Sequence, residues 1–435
     1  MHNKRSGWVL AAPSSNSGKT LVAAALLRLL SRNGTDVTPF KVGPDYIDPG
    51  FLQAAAGKPC LNLDPWAMSP ARLDELLARQ TGERFLIEGV MGLFDGAVSG
   101  EGSTADLAAT YGLPVVLVIN AKGQGASVAA LAEGFSNHRA DVDIAGVIFT
   151  QVGSPRHKKL LLDACEKSDV RVFGVLASDP ALALRERHLG LVQASEAEDL
   201  DQLLNHAAEV LERDLDLAGL QEIATSPEAS AKSSSPSIQP LGQRIAVARD
   251  IAFGFCYPHI IDDWQYAGAE ISFFSPLANE APDEHADAIY LPGGYPELHA
   301  SALSSNNVFL EGLQDAAARD ASILGECGGY MVLGEGVVDA DSTRHAMAGL
   351  LKLETSFAKR KLHLGYRQAT QLTASGPGNM AAKFRGHEFH YASILTEAGD
   401  KLFKVQDANS EQVEEVGLVS GRTMGSFIHL IDIVP

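Results

Sequence analysis

The sequence predicts an α/β protein with two doubly wound, parallel-sheet domains. Apolar and β-branched runs of strand length alternate with helical periodicity through both halves of the 435 residues, as in βαβ units. Between the halves, residues 225–242 are rich in Ser and Pro and nearly devoid of large apolar side chains, which is typical of a linker. We therefore expect domains at 1–222 and 243–435, joined by a linker at 223–242.

The predicted strands are buried runs whose carboxyl ends should carry the functional residues, because ligands of such sheets bind there. Those of the first half are Gly7–Ala11, Asp36–Phe40, Phe85–Glu88, Pro114–Asn120, Ile144–Thr150 and Val170–Leu176. Those of the second half are Arg244–Ala248, Glu270–Phe274, Ala288–Leu291, Ser322–Gly325 and Thr423–His429.

Composition excludes several classes of protein. Lys and Arg number 35 against 54 Asp and Glu, and this net charge of −19 disfavours a non-specific nucleic-acid binder. No apolar run reaches about 18 residues, so we expect no membrane span, and the N-terminus lacks the apolar core of a signal peptide. The four cysteines show neither CxxC nor zinc spacing, and we expect a reducing, cytoplasmic setting.

A phosphate-binding loop follows the first predicted strand. Gly18, Lys19 and Thr20 match the end of the Walker pattern, with Pro13 in place of its first glycine. Backbone N–H groups at a helix start would hold phosphate oxygens, Lys19 would neutralise their charge and the Thr20 hydroxyl would bind Mg²⁺. The expected nucleotide contacts are Ser15, Ser17, Gly18, Lys19 and Thr20.

Two further segments carry charged residues beside this loop. Lys41, Asp45 and Asp48 lie among turn formers after the second strand, where Lys41 would stabilise a transferred phosphoryl group and the carboxylates would address Mg²⁺. Simple turn chemistry is the alternative for this segment. Glu88, at the tip of the third strand, fits the second Mg²⁺ anchor. Asp95 follows it as either a ligand or a turn residue.

The second half contains a cysteine in a nucleophile-elbow pattern, G-x-C-x-G, around Cys327. The helix N-terminus there should favour the thiolate. His429, 102 residues downstream, is the candidate base. Backbone N–H groups of Gly293, Gly294 and Gly328 would form the oxyanion site.

A histidine cluster at residues 387–391 has two interpretations. His387 and His390 could form a metal pair, but the sequence shows no obvious third ligand. We favour contact with substrate or a structural role.

The motifs resemble the a,c-diamide synthases of cobalamin biosynthesis from residue 8 to residue 430. The resemblance rests on APSSNSGKT (12–20), KVGPDYIDP (41–49), EGVMGLFDG (88–96), LPGGYPEL (291–298), GHEFHY (386–391) and the run 187–192. It implies a first domain like dethiobiotin synthetase, which phosphorylates a carboxylate with MgATP. It implies a second domain like the class I, triad-type glutamine amidotransferases, which releases ammonia from L-glutamine to displace the phosphate. The segment 59–68 is most similar to the enzymes that act on hydrogenobyrinic acid.

The resemblance also implies roles for residues. Cys327 would form the γ-glutamyl thioester and His429 would act as its base. The residues of the synthetase site would be Lys19, Thr20, Lys41, Asp45, Asp48, Glu88 and Asp95, and the substrate contacts Tyr46, His387, His390, Arg360 and Lys361. A homodimer is a further expectation.

Three departures from the family pattern are visible. Residues 150–153 replace an Asn-Arg-Val-Gly motif whose asparagine would read the nucleotide base, and Arg185 replaces a common proline. Most class I glutaminases have a Glu two residues after the histidine, where this chain has Ile431. Asp432 would point differently on a strand, so we predict a Cys–His dyad.

Several alternatives stay open at this point. Cobyrinic acid or nickel-sirohydrochlorin would be amidated by the same chemistry, and a P-loop switch ATPase that binds a partner is a candidate from another class. Cobyric acid synthase, which makes other amides, lacks the 41–49 motif. Residues 351–390 carry seven Lys or Arg against two Glu despite the acidic chain. We expect this basic segment, on a face toward the first domain, to help hold the carboxylates of the substrate.

Overall fold

The computed structural model describes residues 5–184, 186–187, 190–228, 236–408 and 413–434. The chain divides into two compact units, Met1–Ser234 and Ser235–Pro435. Three features of the sequence analysis lie wholly or partly outside the described residues: Arg185, residues 188 and 189 of the run 187–192, and the stretch 229–235 of the linker. Among the described residues, no helix has the length and apolarity needed to cross a membrane.

The first unit alternates strands and helices. Its strands are β1 Ser6–Ala11, β2 Val37–Val42, β3 Leu61–Leu63, β4 Arg84–Glu88, β5 Val115–Asn120, β6 Ile144–Val152, β7 Val172–Ala177, β8 Glu186–Arg187 and β9 Gly190–Leu191. Its helices are α1 Lys19–Arg32, α2 Asp48–Ala56, α3 Pro70–Arg79, α4 Thr104–Tyr111, α5 Ser127–His138, α6 Pro155–Lys167, α7 Leu200–Glu212 and α8 Leu217–Ile223.

Seven of these strands form one parallel sheet in the order β3-β2-β4-β1-β5-β6-β7. β1 is buried at every position, as expected for a central strand covered on both faces. The apolar residues of α1, among them Val22, Leu26 and Leu30, pack with Trp8 and Leu10 of β1 in the core. β1, β2 and β4 lie side by side, so the loops that follow them meet at one edge of the sheet.

The second unit begins as another α/β structure and continues as a β-rich one. Its strands are β10 Arg244–Ala248, β11 Glu270–Phe274, β12 Ala288–Leu291, β13 Ser322–Glu326, β14 Gly336–Val338, β15 Arg344–Ala346, β16 Leu353–Ser356, β17 His363–Gln371, β18 Lys383–His390, β19 Ser393–Glu397, β20 Phe403–Asp407, β21 Val413–Val416, β22 Leu418–Ser420, β23 Thr423–Ser426 and β24 Ile428–Ile433. Its helices are α9 Pro258–Tyr266, α10 Ala300–Ser305, α11 Asn307–Ala318 and α12 Gly328–Leu333.

The described residues of the second unit form three sheets. The largest has the order β11-β10-β12-β13-β23-β22 and is parallel except for the edge strand β22. A five-stranded antiparallel sheet has the order β21-β20-β17-β18-β24, and a mixed four-stranded sheet contains β15, β14, β16 and β19. The doubly wound prediction therefore holds for the largest sheet, and the other two sheets were not predicted.

The predicted strand Thr423–His429 is wrong as a single element. The run is interrupted at Phe427: β23 pairs with β13 in the parallel sheet, whereas β24 pairs with β18 in the antiparallel sheet. A continuous apolar run cannot reveal this change of sheet, because both strands are buried and have the same apolar sequence pattern.

We expect Gly134→Ala to stabilise the first unit. Gly134 lies inside α5, and a Cβ there would meet nothing within 4 Å, so alanine should add about 1 kcal/mol to the free energy of unfolding. Urea unfolding followed by the fluorescence of Trp8 and Trp66, in a Trp264→Phe background, measures this change.

Gly123→Ala is the matched control. Its Cβ would also meet nothing within 4 Å, but φ is +73°, so alanine should lower the free energy of unfolding by about 1 kcal/mol. Shifts of the same sign in the two variants would contradict the analysis.

Candidate active site

The phosphate-binding loop connects β1 to α1 through a tight turn. Asn16 and Gly18 adopt positive φ values of 62° and 79°, and α1 starts at Lys19. The Thr150 hydroxyl donates to Ser17 O at 2.7 Å, and the Ser17 hydroxyl donates to Ser14 O at 2.8 Å. Thr150, which departs from the family pattern, thus braces this loop from β6. Ser15 lies exposed in the loop.

Lys19 is buried beside the loop that follows β4. Its Nζ donates to Met91 O at 2.8 Å, and Met91 itself has a positive φ of 47°. Burial and the nearby charge of Lys41 lower the pKa of Lys19 to about 8. The role of Met91 was not predicted, because the contact uses only its backbone carbonyl.

A cluster of charged groups joins the ends of β2 and β4 to α1 and α2. Lys41 Nζ lies 2.5 Å from Asp48 Oδ2 and 3.0 Å from Glu88 Oε1. The Thr20 hydroxyl donates to Glu88 Oε1 at 2.8 Å and lies 3.2 Å from Asp48 Oδ2. The residues that the sequence assigned to phosphate transfer from three separate motifs therefore meet in one cluster.

The protonation of this cluster follows from burial and charge. Although burial alone would lower it, Asp48 and Glu88 raise the pKa of Lys41, which remains a cation. Lys41 likewise outweighs burial at Asp48 and holds its pKa below the usual range. Burial raises the pKa of Glu88 to about 7, so the carboxyl of Glu88 titrates near neutral pH.

Asp45 organises the loop rather than pairing with Lys41. Its Oδ1 accepts hydrogen bonds from the backbone N–H groups of Ile47 and Asp48 at 2.8 and 2.9 Å. The Asn62 side chain donates to Gly43 O and Asp45 O at 2.9 and 2.7 Å. Burial and the charge of Asp48 raise the pKa of Asp45 to about 6. Asn62 was not predicted, because it lies on β3, a strand too short to recognise.

Two other predicted residues lie around the cluster. Asp95 is exposed, and its Oδ2 accepts a hydrogen bond from Gly92 N at 2.9 Å, so in this structure it closes its own turn. That turn lies against the phosphate loop, since Leu93 N donates to Ala12 O at 2.8 Å. Tyr46 is half-buried between Asp45 and α2.

The donor set suits Mg²⁺. A hydroxyl and carboxylates are the ligands that this ion prefers, and Thr20, Asp48 and Glu88 present them within 3.2 Å of the Thr20 oxygen. Glu88 Oε2 is buried without a hydrogen-bond partner among the described residues, as an atom awaiting a ligand would be. Asp45, predicted as a ligand, uses Oδ1 for the backbone of its own loop.

The second unit places Cys327 on a strained turn between β13 and α12. Its φ of 47° and ψ of −102° are unusual for a residue with a side chain, as expected at a nucleophile elbow. Glycines allow the backbone segments around this turn to pack closely against one another. A Cβ on Gly329 would collide with Leu291 O, and one on Gly425 would lie 2.7 Å from Gly325 O.

His429 lies beside this turn, next to Gly293. A Cβ on Gly293 would collide with His429 Cε1 and lie 3.3 Å from Cys327 Cβ, so the backbone of Gly293 lies close to both side chains. A Cβ on Gly328 would lie 3.1 Å from Gly294 N. The predicted nucleophile, base and oxyanion glycines therefore come together.

Burial keeps the Cys327 thiol and the His429 imidazole neutral. It raises the pKa of the Cys327 thiol, with Glu297 adding to the effect and a hydrogen bond from Gly328 N opposing it. Burial, reinforced by His387, lowers the pKa of His429 well below its usual value. The expectation that the helix N-terminus favours a thiolate is therefore wrong for this structure, where desolvation is the larger effect.

The histidines of residues 387–391 lie on opposite faces of β18. His387 pairs across the ladder with His429, and their rings stack at 4.9 Å. On the other face, His390 Nε2 lies 2.8 Å from Glu388 Oε1, and the Arg367 guanidinium lies 2.8 Å from Glu388 Oε2. Successive side chains of a strand alternate between faces, which separates the two groups.

His363 is the third group that the sequence did not reveal. Its ring stacks on that of His390 at 4.7 Å, and the ligand atoms of His363, Glu388 and His390 lie within 4.8 Å of one another. Although burial alone would raise it, His390 and Arg367 hold the pKa of Glu388 at about 2. Arg367 therefore already neutralises the Glu388 carboxylate. The ion pair and hydrogen bonds explain this cluster as a structural one, without a metal ion.

The predicted substrate contacts of the basic segment lie at its surface. Arg360 and Lys361 are exposed, and Lys361 borders a cavity of about 570 Å³. Arg367 and Glu388 line the same cavity.

Comparison with protein families matches both units. Residues 8–192 match the CobQ/CobB/MinD/ParA nucleotide binding domain, and residues 244–432 match the CobB/CobQ-like glutamine amidotransferase domain. The first match includes the Lys19–Lys41–Glu88 cluster and the second includes Cys327 and His429.

Curated relatives match nearly the whole chain. Hydrogenobyrinate a,c-diamide synthase of Brucella anthropi is 53% identical over 431 residues, with 98% of each chain covered. The protein of the same name from Brucella suis biovar 1 is 54% identical with the same coverage, and that from Sinorhizobium sp. is 53% identical over 98% of this chain and 99% of its own. Sharing about half of its residues with them from end to end, this chain belongs to the family of these hydrogenobyrinate a,c-diamide synthases.

Proposed function

We propose that the chain catalyses the ATP-dependent amidation of the a- and c-acetate carboxylates of hydrogenobyrinic acid in cobalamin biosynthesis, with glutamine or ammonia as nitrogen donor. The observation that carries this proposal is the presence of two complementary sites in one chain, the Lys19–Lys41–Glu88 cluster and the Cys327 elbow. The identity of the macrocycle is proposed from the relatives, which are named hydrogenobyrinate a,c-diamide synthases.

The first site would activate a carboxylate, which is itself a poor electrophile. Lys19 and the loop N–H groups would bind ATP phosphates, and Lys41 would stabilise the charge of the γ-phosphoryl group as it passes to the substrate. Bound Mg²⁺, held by Thr20, Asp48 and Glu88, would neutralise phosphate charge. The product would be an acyl phosphate, whose phosphate is a good leaving group for ammonia.

Lys41 is well prepared for this role. It is buried, and its ammonium is held between Asp48 and Glu88 at 2.5 and 3.0 Å, so its position is fixed before ATP binds. A fixed charge costs little reorganisation during the reaction. Asp45 would keep the loop in place, and we propose Asp95 and Tyr46 as contacts for the bound substrates.

The second site would release ammonia from glutamine. His429 is neutral and would take the thiol proton as Cys327 attacks the amide carbon. The tetrahedral oxyanion would accept hydrogen bonds from backbone N–H groups among Gly293, Gly294 and Gly328. Proton return to the leaving group would yield ammonia and a γ-glutamyl thioester, which water hydrolyses.

Exposed Arg360 and Lys361 are our candidates for contacts with the many carboxylates of the macrocycle. His387 and His390, on opposite faces of β18, would have structural roles. Association into a homodimer is a further element of the proposal.

The proposed reaction predicts a specific product. Incubation with hydrogenobyrinic acid, MgATP and glutamine should add two amides to the macrocycle, as measured by mass spectrometry. Cobyrinic acid and nickel-sirohydrochlorin are the comparison substrates, and ATP without any macrocycle is the control. Two amides on another macrocycle and none on hydrogenobyrinic acid would contradict the proposal, and ATP hydrolysis with no amidation would favour a switch ATPase.

The two sites should be separable by substitution. Cys327→Ser should abolish glutamine-dependent amidation and leave ammonia-dependent amidation intact, because only glutamine needs the thiolate. Lys19→Ala should stop amidation with either donor and leave a folded protein. Steady-state rates with glutamine and with ammonium chloride measure both effects.

Cys165→Ala and Lys159→Ala are matched controls, since these residues lie on α6, outside both sites. Loss of both activities in a folded Cys327→Ser protein would refute the separation of the sites.

Binding of Mg²⁺ and ATP should depend on pH through Glu88. Its pKa of about 7 means that the carboxyl is mostly protonated at pH 6 and mostly ionised at pH 8. The Mg²⁺ affinity in the presence of ATP should therefore rise by up to about tenfold from pH 6 to pH 8, as measured by calorimetry. Lys19 loses its charge near pH 8, which acts in the opposite direction on ATP itself.

Glu88→Gln isolates the contribution of the carboxyl. This variant should bind Mg²⁺ weakly at both pH values and lose the rise. A rise of equal size in the variant would assign the pH dependence to other groups.

A further inference from the structure

The nucleophile and its base belong to different sheets of the second unit. Cys327 follows β13 in the parallel sheet, whereas His429 lies on β24 in the antiparallel sheet. No ladder joins β13 to β24 among the described strands. Backbone pairing at the elbow ends at Ser426, whose carbonyl accepts from Cys327 N at 2.8 Å, three residues before His429. Beyond Ser426 the chain leaves the parallel sheet, so the position of His429 depends on the contacts of β24 itself.

β24 is an edge strand, and side chains bond to its outer side. The Ser426 hydroxyl accepts from Ile428 N at 3.2 Å, and His259 Nε2 lies 2.9 Å from Ile431 O. Between these two bonds, Leu430 N donates to Glu326 Oε1 at 3.3 Å. This last bond reaches the residue directly before Cys327 from the residue directly after His429.

Glu326 is a buried carboxyl with both oxygens engaged. Its Oε2 accepts a hydrogen bond from the Tyr290 hydroxyl at 2.8 Å, and only 3% of the residue is exposed. Tyr290 lies on β12, which pairs with β13. One side chain therefore ties the parallel sheet, through Tyr290, to the strand of the base, through Leu430.

We propose that Glu326 is a positioning residue that holds His429 against Cys327, through the backbone of β24, in place of the missing carboxylate at Ile431. A carboxylate two residues after the histidine would act on the ring itself, whereas Glu326 acts on the strand that carries the ring. Burial raises the pKa of Glu326 to about 8, and the hydrogen bonds from Tyr290 and Leu430 N act in the opposite direction. This inference rests on the proposed glutaminase function.

The test compares variants of the full chain with two nitrogen donors. Glu326→Ala should lower kcat for glutamine hydrolysis by about 10–100-fold with KM within about threefold, because the base is displaced while the glutamine site is not. Ammonia-dependent amidation should stay within about twofold of wild type, since it does not use the Cys327–His429 site. Alkylation of Cys327 by iodoacetamide, followed by peptide mass spectrometry, should slow in parallel with kcat.

Glu326→Gln is the conservative variant. Its amide can accept from Leu430 N and bond to the Tyr290 hydroxyl, so kcat should return to within about threefold of wild type. Tyr290→Phe should fall between wild type and Glu326→Ala, because one of the two bonds remains.

Two results would overturn the inference. One is a Glu326→Ala protein with wild-type kcat, and the other is a parallel loss of glutamine-dependent and ammonia-dependent amidation, which would make Glu326 merely structural. Failure of the proposed function looks different: the wild-type chain would hydrolyse glutamine and amidate no macrocycle, and the comparison of glutamine hydrolysis among the variants would still decide the role of Glu326.

Discussion

Both units depend on the same constraint, a sharp turn from a buried parallel strand into a helix that packs against it. The turn brings backbone N–H groups to the carboxyl edge of the sheet, where a phosphate or an oxyanion can use them. It forms only where a side chain is small or absent, as at Gly18, whose φ is 79°, and at Gly329, where a Cβ would meet Leu291 O. Lys19 and Cys327 lie at these turns, where α1 and α12 begin.

Local signals made much of the fold and site predictable. A strand, a small-residue turn and a helix lie within about 20 residues of one another, so the motifs around Lys19 and Cys327 carry their own context. Ligands of parallel sheets bind at the carboxyl ends of the strands, and this rule correctly predicted that Lys41, Asp48 and Glu88 lie together, because β1, β2 and β4 are neighbours.

What the sequence missed depends on pairing between distant residues. His387 meets His429 across 42 positions, and half-exposed strands such as β17 have no apolar run to announce them. His363 pairs with His390 across 27 positions, and this separation likewise hid the cluster of His363, Glu388 and His390. The contacts of Asn62, Met91 and Glu326 involve backbone atoms of distant residues. Residue type alone does not predict such contacts. The Cys327 thiol was expected to ionise because the helix end is visible in sequence, whereas the burial that opposes ionisation is not.

The alternation of β18 between two faces has a consequence for how the chain can vary in length. His387 faces the base, whereas Glu388 and His390 face the Arg367 network, and a strand that gains or loses one residue exchanges its faces. A single-residue insertion between Gly386 and His387 would turn Glu388 toward the face of His429 and His387 toward the face of Arg367, damaging both networks in one event. A substitution in this strand affects one face only, whereas an insertion or deletion affects both faces. Among related chains, length differences should collect in the preceding loop, 372–382, and be absent from this strand.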